Sequence, residues 1–301
     1  MTTINVVEIS KSFGAQKAVN NVSFDVEPGE IFGLLGPNGA GKTTSIRIML
    51  DIFKPDTGKV NILGGPMNEE KKNKIGYLPE ERGLYQDIPL ERCLIYLATL
   101  KGLDEQEAAK RVAEYLERFD LAQSKKKKVK ELSKGMQQKA QLITTLIHKP
   151  EIVIIDEPFS ALDPVNTQMV KDLLMEERAK GTSIVMCTHQ MHQVEELADR
   201  IALINKGQTV LYGELNSIRR QFATEAVIVR SSTDLPTDLH GVAEMKKTNS
   251  HTLLHLSKGV TTQDVLRELI QRNIPVEQFE IALPTLDEIF IQVVKPEGAA
   301  E

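Results

Sequence analysis

The sequence predicts an α/β protein with a parallel core sheet, antiparallel N-terminal strands and a helical insertion, followed by a small α+β domain. Three observations favour this fold class. Short apolar runs alternate with segments of helical spacing, which is typical of a parallel sheet with crossover helices. A glycine-rich stretch joins one apolar run to a helix, and a later apolar run ends in two acids. The pattern then changes after about residue 215, which predicts a second domain.

The first elements read as strands. Residues 6–9 precede a short polar turn, and residues 19–26 alternate between apolar and polar before Pro28 and Gly29. Residues 31–35 form an apolar run typical of a buried strand. Residues 43–53 carry apolar side chains at helical spacing and predict a helix.

Residues 85–148, approximately, read as the helical insertion, and Asp104 with Glu107 resembles a capping box within it. Strand signals return at residues 152–155 and 183–187, and residues 201–212 read as a hairpin. We therefore expect a first domain over residues 1–215.

Residues 216–301 read as an accessory domain. Residues 225–230 and 252–256 predict strands, and Val265, Leu269 and Ile270 predict one face of a helix. Thr285 and Glu288 predict a capping box at the start of a last helix.

Composition sets the broad class. Of 301 residues, 41% are hydrophobic and 26% charged, which is ordinary for a globular protein. A formal net charge of −5 gives no general attraction to nucleic acid, which we do not expect as a partner. Cys93 and Cys187 lie in apolar segments and are expected to be buried, reduced thiols. No signal peptide or membrane span is recognisable, so we expect a cytoplasmic protein.

The glycine-rich stretch predicts a phosphate-binding loop. It matches G-x-x-x-x-G-K-[ST] at every fixed position and lies between a strand and a helix. Its residues are Gly36, Pro37, Asn38, Gly39, Ala40, Gly41, Lys42 and Thr43, and we add the following Thr44 to the nucleotide-binding set. Main-chain N–H groups of such a loop bind phosphate oxygens, its lysine reaches the β- and γ-phosphates, and its threonine hydroxyl binds Mg²⁺.

The two acids after residues 152–155 are Asp156 and Glu157. Ligands bind at the carboxyl ends of parallel strands, so both acids are expected near the phosphates. Asp156 suits a role in holding Mg²⁺, and Glu157 suits a role as the base that takes a proton from the attacking water. Together with the phosphate loop, this pair predicts hydrolysis of a nucleoside triphosphate.

Residues 1–215 resemble the ATP-binding-cassette (ABC) family. The stretch Leu132-Ser133-Lys134-Gly135-Met136 is similar to the family signature LSGGQ, and Ser160-Ala161-Leu162-Asp163 is similar to its D-loop. The resemblance implies that Ser133 and Gly135 face the γ-phosphate bound by another protomer. It also implies that His189 contacts the γ-phosphate and Glu157, and that Phe13 stacks on adenine.

This chain departs from the family pattern at two places. Glu80 stands where the family has a glutamine, and a carboxylate there can still reach Mg²⁺. Lys134 and Met136 replace a glycine and a glutamine of the signature. We expect slower or differently gated hydrolysis from these changes.

The resemblance implies an ATPase subunit of an exporter, with ATP and Mg²⁺ as cofactors. Residues 279–290 are similar to the C-terminal domain of the drug- and sodium-export branch, which pairs an ATPase chain with a separate membrane permease. The expected partners are a second copy, or a paralogous ATPase, and a permease at the inner face of the cell membrane. A soluble ABC ATPase acting on ribosomes or DNA is the alternative, and a small-molecule kinase is a third reading. The single cassette disfavours the soluble ABC ATPase, and the signature disfavours the kinase.

Overall fold

The computed structural model describes residues 2–81, 83–248 and 250–294. The chain separates into two compact units that meet in sequence at Leu215 and Asn216. Within the described residues, no helix is both long and apolar enough to cross a lipid bilayer. Cys93 and Cys187 are buried and form no disulfide, as the sequence predicts.

The first unit is an α/β structure with a helical insertion. Its strands are β1 (Ile4–Phe13), β2 (Gln16–Val26), β3 (Ile31–Leu35), β4 (Thr57–Ile62), β5 (Ile75–Leu78), β6 (Ile152–Asp156), β7 (Ser183–Thr188), β8 (Arg200–Asn205) and β9 (Gln208–Glu214). Its helices are α1 (Lys42–Met49), α2 (Glu69–Asn73), α3 (Leu90–Leu100), α4 (Glu105–Arg118), α5 (Lys134–Leu146), α6 (Pro164–Ala179) and α7 (Met191–Leu197).

The core sheet has the strand order β5-β6-β7-β3-β8-β9. The first five of these strands are parallel, and β9 returns antiparallel to β8 as the predicted hairpin. The strands β6, β7 and β3 are neighbours, so their carboxyl ends lie side by side at one edge of the sheet. Residues that follow these three strands are therefore brought together.

A second sheet packs on the core sheet. Its order is β2-β1-β4 and all its pairs are antiparallel, which confirms the predicted N-terminal strands. The hydrophobic cluster between the sheets includes Phe24 of β2 and Phe32 of β3, whose rings stack with their centres 5.3 Å apart. This cluster also buries the inner face of α1, which carries the end of the phosphate loop.

Helix α1 is shorter than the sequence predicts. It ends at Met49, and Asp51 has a φ of 61°, a left-handed conformation that stops an α-helix. Phe53 still packs against the hydrophobic cluster, because the chain turns back toward the core. Phe53 is apolar because it packs on the core, so the apolar pattern of the sequence continues beyond the end of α1.

The insertion contains α3, α4 and α5, as predicted, but the capping box at α4 is only half formed. The Asp104 carboxylate accepts a hydrogen bond from the Glu107 main-chain N–H at 3.0 Å. The Glu107 carboxylate pairs instead with Arg111, one helical turn ahead, at 2.6 Å. An ion pair at this spacing competes with the reciprocal bond of the box.

The second unit is an antiparallel sheet with helices. After α8 (Leu215–Gln221) come β10 (Ala226–Ser231), β11 (Val242–Lys247), β12 (Thr252–Leu256), α9 (Thr262–Gln271), β13 (Val276–Ile281) and α10 (Leu286–Val294). The sheet order is β11-β12-β10-β13. Val265 and Leu269 of α9 are buried as predicted, whereas Ile270 is exposed, which corrects the predicted face. The capping box of Thr285 and Glu288 is present with both of its hydrogen bonds.

His148 lies where the insertion returns to the core sheet. Its Nε2 lies 3.2 Å from the Ile75 carbonyl oxygen, and its buried Nδ1 has no hydrogen-bond partner among the described residues. Burial, together with the nearby Lys101 ammonium, lowers the pKa of His148 from 6.5 to about 4. The folded protein therefore holds this imidazole neutral well below neutral pH.

Stability should consequently fall between pH 6.5 and about 4, because in this range the unfolded chain binds a proton at His148 and the folded chain does not. The contribution of the neutral imidazole is fully present above pH 6.5 and is lost as the pH falls. For one proton the slope reaches about 1.4 kcal/mol per pH unit. Urea unfolding between about pH 7 and about pH 5 should give a shallower pH dependence for His148→Gln than for the wild type. Equal slopes would contradict this prediction.

Candidate nucleotide-binding site

The candidate site lies at the carboxyl ends of β3, β7 and β6. The predicted phosphate loop follows β3, Asp156 ends β6, and Thr188 and His189 come at the end of β7. The parallel register pairs Asp156 with Cys187, so the last residues of β6 and β7 are level with each other. The fold thus gathers the loop, the two acids and the histidine at one edge of the sheet.

The loop is packed tightly against neighbouring main chain. Gly36 has a φ of 144°, and a Cβ atom there would lie 2.0 Å from the Ile204 carbonyl oxygen. Gly41 has a φ of 108°, and a Cβ atom there would lie 2.4 Å from the Ala18 carbonyl oxygen. No side chain fits at either position. Glycine is therefore needed for both the conformation and the close approach.

Lys42 and the first turn of α1 form the positive part of the site. Gly41 is the N-cap residue and supplies no side-chain hydrogen bond to the helix. The N-terminal N–H groups of α1 are thus suited to an anion, and the helix dipole adds to that attraction. The buried Lys42 ammonium donates to the carbonyl oxygens of Gly36 at 2.7 Å and Pro37 at 3.2 Å. An ammonium has three donors, so this cation can also reach a phosphate oxygen.

Thr43 and Asp156 lie together beside the loop. The Thr43 hydroxyl donates to Asp156 Oδ2 at 3.1 Å. Burial raises the pKa of Asp156, and hydrogen bonds from Cys187 and Thr43 act in the opposite direction. Hydroxyl and carboxylate oxygens are hard ligands that suit Mg²⁺. In the described part of the chain, no group of three or more His, Cys, Asp or Glu residues could hold a metal ion. Mg²⁺ would therefore complete its coordination with phosphate oxygens and water, which is its usual mode.

Glu157 directly follows β6, and residues at the end of β7 hold it through several hydrogen bonds. Its Oε2 accepts from the Thr188 hydroxyl at 2.9 Å, and its Oε1 accepts from the His189 main-chain N–H at 3.0 Å. The His189 Nδ1 atom lies 2.7 Å from the same Oε1. The Glu157 N–H donates to the Cys187 carbonyl oxygen at 2.8 Å. The contact between His189 and Glu157 that the family resemblance implies is therefore present.

Ser133 is the N-cap residue of α5, and its hydroxyl accepts from the Met136 N–H at 3.2 Å. Among the described residues, no hydrogen bond or ion pair joins Ser133 or Gly135 to the phosphate loop. A Cβ atom at Gly135 would lie 3.3 Å from the Ala161 carbonyl oxygen. The start of α5 thus packs on the D-loop-like segment of its own chain.

Phe13 and Glu80 are separate from the cluster of acids. Phe13 ends β1 with 47% of its surface exposed, and its ring meets Phe53 edge-on with the centres 5.4 Å apart. A partly exposed ring of this kind can stack on a flat ligand. Glu80 is exposed, and in the described part of the chain it makes no hydrogen bond or ion pair with Thr43 or Asp156.

Sequence reasoning missed two residues of the site. The Thr188 hydroxyl holds Glu157, and Cys187 lies beside Asp156 in the neighbouring strand. The signal for Thr188 is a hydroxyl residue directly before His189, at the end of an apolar strand. The signal for Cys187 is weaker, because only the strand register places it opposite Asp156.

A parallel α/β sheet with a phosphate loop, a Thr-Asp pair and a glutamate held by neighbouring hydrogen bonds is typical of the P-loop class of nucleotide-binding proteins. Residues 19–160 match the family model of the ABC transporter, and residues 213–294 match that of the ATP-binding protein DrrA1-3-like, C-terminal domain. The chain belongs to the ATP-binding proteins of the ABC transporter family, and it is an ATPase.

Relatives cover both units. The uncharacterised ABC transporter ATP-binding protein YhaQ of Bacillus subtilis (strain 168) is 40% identical over 97% of this chain and 98% of its own length. The daunorubicin resistance ATP-binding protein DrrA3 of Streptomyces coeruleorubidus is 30% identical over 97% of this chain and 96% of its own. A solved ATP-binding subunit of an ABC transporter is 32% identical, with a TM-score of 0.69, over 73% of this chain and 93% of that chain.

Proposed function

We propose that this chain hydrolyses Mg²⁺-bound ATP as the motor subunit of an exporter and drives a separate membrane permease. The observation that carries the hydrolytic part is the meeting of Thr43 with Asp156 beside the phosphate loop. Glu157 is held next to this pair by Thr188 and His189. This arrangement supports a cation site and a proton acceptor on the same edge of the sheet.

The proposed chemistry assigns one task to each residue. Lys42 and the loop N–H groups hold the phosphates, with Thr44 and the remaining loop residues shaping the cradle. The proposed protein ligands of Mg²⁺, which would neutralise phosphate charge, are Thr43 and Asp156, which are hydrogen-bonded to each other, and Glu80, which is bonded to neither of them in the part of the chain that the structure describes. Glu157 takes a proton from the attacking water while the oxygen of that water bonds to the γ-phosphorus. The bond from the γ-phosphorus to the ADP oxygen breaks in the same step. His189 holds Glu157 and contacts the γ-phosphate.

A second copy completes the site in this proposal. Ser133 and Gly135 begin α5 and are not bonded to the phosphate loop of their own chain within the described residues. A two-fold dimer could bring the start of α5 of one protomer onto the nucleotide of the other, and such an arrangement is self-complementary. A paralogous ATPase could take the place of the second copy.

Export is supported by the names of relatives. DrrA3 is a daunorubicin resistance protein, and LnrL of Bacillus subtilis (strain 168), 29% identical over 95% of this chain, is a linearmycin resistance protein. In this proposal residues 1–215 are the motor, residues 85–148 its helical subdomain, and residues 216–301 an accessory domain. The chain would work at the inner face of the cell membrane, bound to its permease.

An exposed aromatic pair marks a surface that suits the permease. Tyr85 and Tyr96 are 50% and 46% exposed, and their rings meet edge-on with the centres 5.7 Å apart. Leu100 extends this apolar surface one turn further along α3. Exposed aromatic groups of this kind are typical of partner sites. Tyr85 follows Glu80 closely in the chain, so a partner bound there could act on the nucleotide site.

We expect the double variant Tyr85→Ala, Tyr96→Ala to lose most of the stimulation of ATPase activity by the permease. The measurement is the ratio of the ATPase rates with and without a candidate permease, both proteins purified and joined in lipid vesicles. Ile291→Ala, which removes an exposed apolar side chain of the second unit, serves as the control. An unchanged ratio in the double variant would reject this docking surface. A wild-type chain that this permease neither binds nor stimulates would reject the proposed pairing.

A further inference from the structure

Helix α5 buries a row of polar side chains that the proposed chemistry does not use. They are Gln137, Gln138, Gln141 and Thr145, all less than one-tenth exposed. Burying an amide is costly unless it is hydrogen-bonded. Each side chain donates to main-chain carbonyl oxygens of another segment. The acceptors are Val129 and Leu132 for Gln137, Pro158 for Gln138, Glu81 for Gln141, and Tyr77 for Thr145, whose hydroxyl lies closer to the Gln141 carbonyl oxygen of its own helix.

The bond of Gln138 reaches the residue next to the proposed base. Gln138 Nε2 donates to the Pro158 carbonyl oxygen at 3.3 Å, and Gln138 is 5% exposed. Pro158 directly follows Glu157, which has a φ of 54°. A left-handed conformation is unfavourable for a residue with a side chain. The surrounding structure must therefore keep Glu157 in this conformation.

Three hydrogen bonds fix the main chain around Glu157, and one of them lies within the turn, from the Ser160 N–H to the Glu157 carbonyl oxygen at 3.3 Å. On one side its own N–H is bonded to Cys187 of β7, and on the other side the following carbonyl is bonded to Gln138 of α5. The ring of Pro158 fixes one of the two soft dihedrals of that residue. The Gln138 donor on the Pro158 carbonyl ties this turn to α5.

We propose that Gln138 is a positioning residue for hydrolysis, which holds the Glu157 turn in place through the Pro158 carbonyl. This inference rests on the proposed role of Glu157 as the base. Loss of the Gln138 donor lets the turn relax and displaces the carboxylate from the attacking water. Displacements of about 1 Å in a catalytic group can lower rates by about 100-fold. Binding of ATP to the phosphate loop of the same chain is unaffected, because Lys42 and the loop N–H groups belong to other elements.

The test compares Gln138→Met with Lys139→Met. The control removes a side-chain donor from the neighbouring residue of the same helix, where Lys139 Nζ donates to the Phe119 carbonyl oxygen at 3.1 Å within the insertion. We expect Gln138→Met to lower kcat about tenfold, within the range for misplaced catalytic groups, with KM for ATP changed less than about twofold. Lys139→Met should keep both constants. Gln138→Leu also removes the donor and serves if the methionine variant folds poorly.

A double-mutant cycle separates positioning from a general packing effect. In the Glu157→Gln background, Gln138→Met should change the residual single-turnover rate less than about twofold, because the group that it positions is already gone. An equal fall in both backgrounds, or a normal kcat for Gln138→Met, would overturn this inference. A Glu157→Gln variant with the wild-type rate would overturn the proposed catalytic role itself and this inference with it. A slow Glu157→Gln beside a normal Gln138→Met overturns the inference alone.

Discussion

Glu157→Gln should lower the ATPase rate by about 100- to 10,000-fold, the usual contribution of a general base, and should leave ATP binding intact. The amide cannot accept the proton of the attacking water. ATP then remains between the two protomers of the proposed dimer, which stays closed. We therefore expect this variant to elute as a dimer in gel filtration with ATP and Mg²⁺, and as a monomer without nucleotide.

The contacts of Glu157 make this substitution a clean one. The amide oxygen can accept from the His189 N–H, and the amide nitrogen can face Thr188, because a hydroxyl also accepts hydrogen bonds. The side chain keeps its size, so the fold around β6 and β7 should persist. Equal thermal midpoints for the variant and the wild type without nucleotide would verify this.

Glu151→Gln is the matched control for this experiment. It is the same substitution just before β6, at the opposite end of the strand, where the side chain is half exposed and paired with Lys74. This variant should hydrolyse ATP at the wild-type rate. The composite-site proposal fails if Glu157→Gln stays monomeric with ATP. The assignment of the base fails if its rate stays within about threefold of the wild type, far below the expected loss.

Local patterns predicted the parts of the site that follow single strands. The phosphate loop, Asp156 and the strands β3, β6 and β7 could be found because a continuous apolar run ending in glycine or acids has few other structural meanings. The support of Glu157 could not be found in this way. It depends on the register of β6 with β7 and on α5 packing nearby, and both are contacts between distant parts of the sequence.

The strands that sequence reasoning missed have weak local signals. β5 has four residues and includes Gly76, where a Cβ atom would lie 2.2 Å from the Thr145 carbonyl oxygen. That glycine allows the close approach of α5, but it interrupts the apolar run that would indicate a strand. β4, β11 and β13 are edge strands of their sheets and contain at most one buried residue each, so their side chains do not alternate clearly.

Lys42→Ala should weaken ATP binding by at least about 100-fold, since charge-assisted hydrogen bonds to phosphate contribute up to about 3 kcal/mol and the buried cation is lost with them. The loop keeps its glycines and its N–H groups, so weak anion binding should persist. The direct measurement is calorimetric titration of ATP with Mg²⁺ into the wild type and the variant.

Thermal shift gives a second measurement of the same loss. A ligand at about 100 times its Kd stabilises the folded state by about 2.7 kcal/mol, so ATP should raise the midpoint of the wild type and leave that of Lys42→Ala almost unchanged. Lys54→Met removes an exposed lysine just after α1 and should respond to ATP like the wild type. Lys42→Met keeps more of the buried packing and serves if the alanine variant is unstable without nucleotide. Undiminished affinity in a folded Lys42 variant would refute the assignment of the phosphate loop, because no other predicted group carries its charge into the cradle.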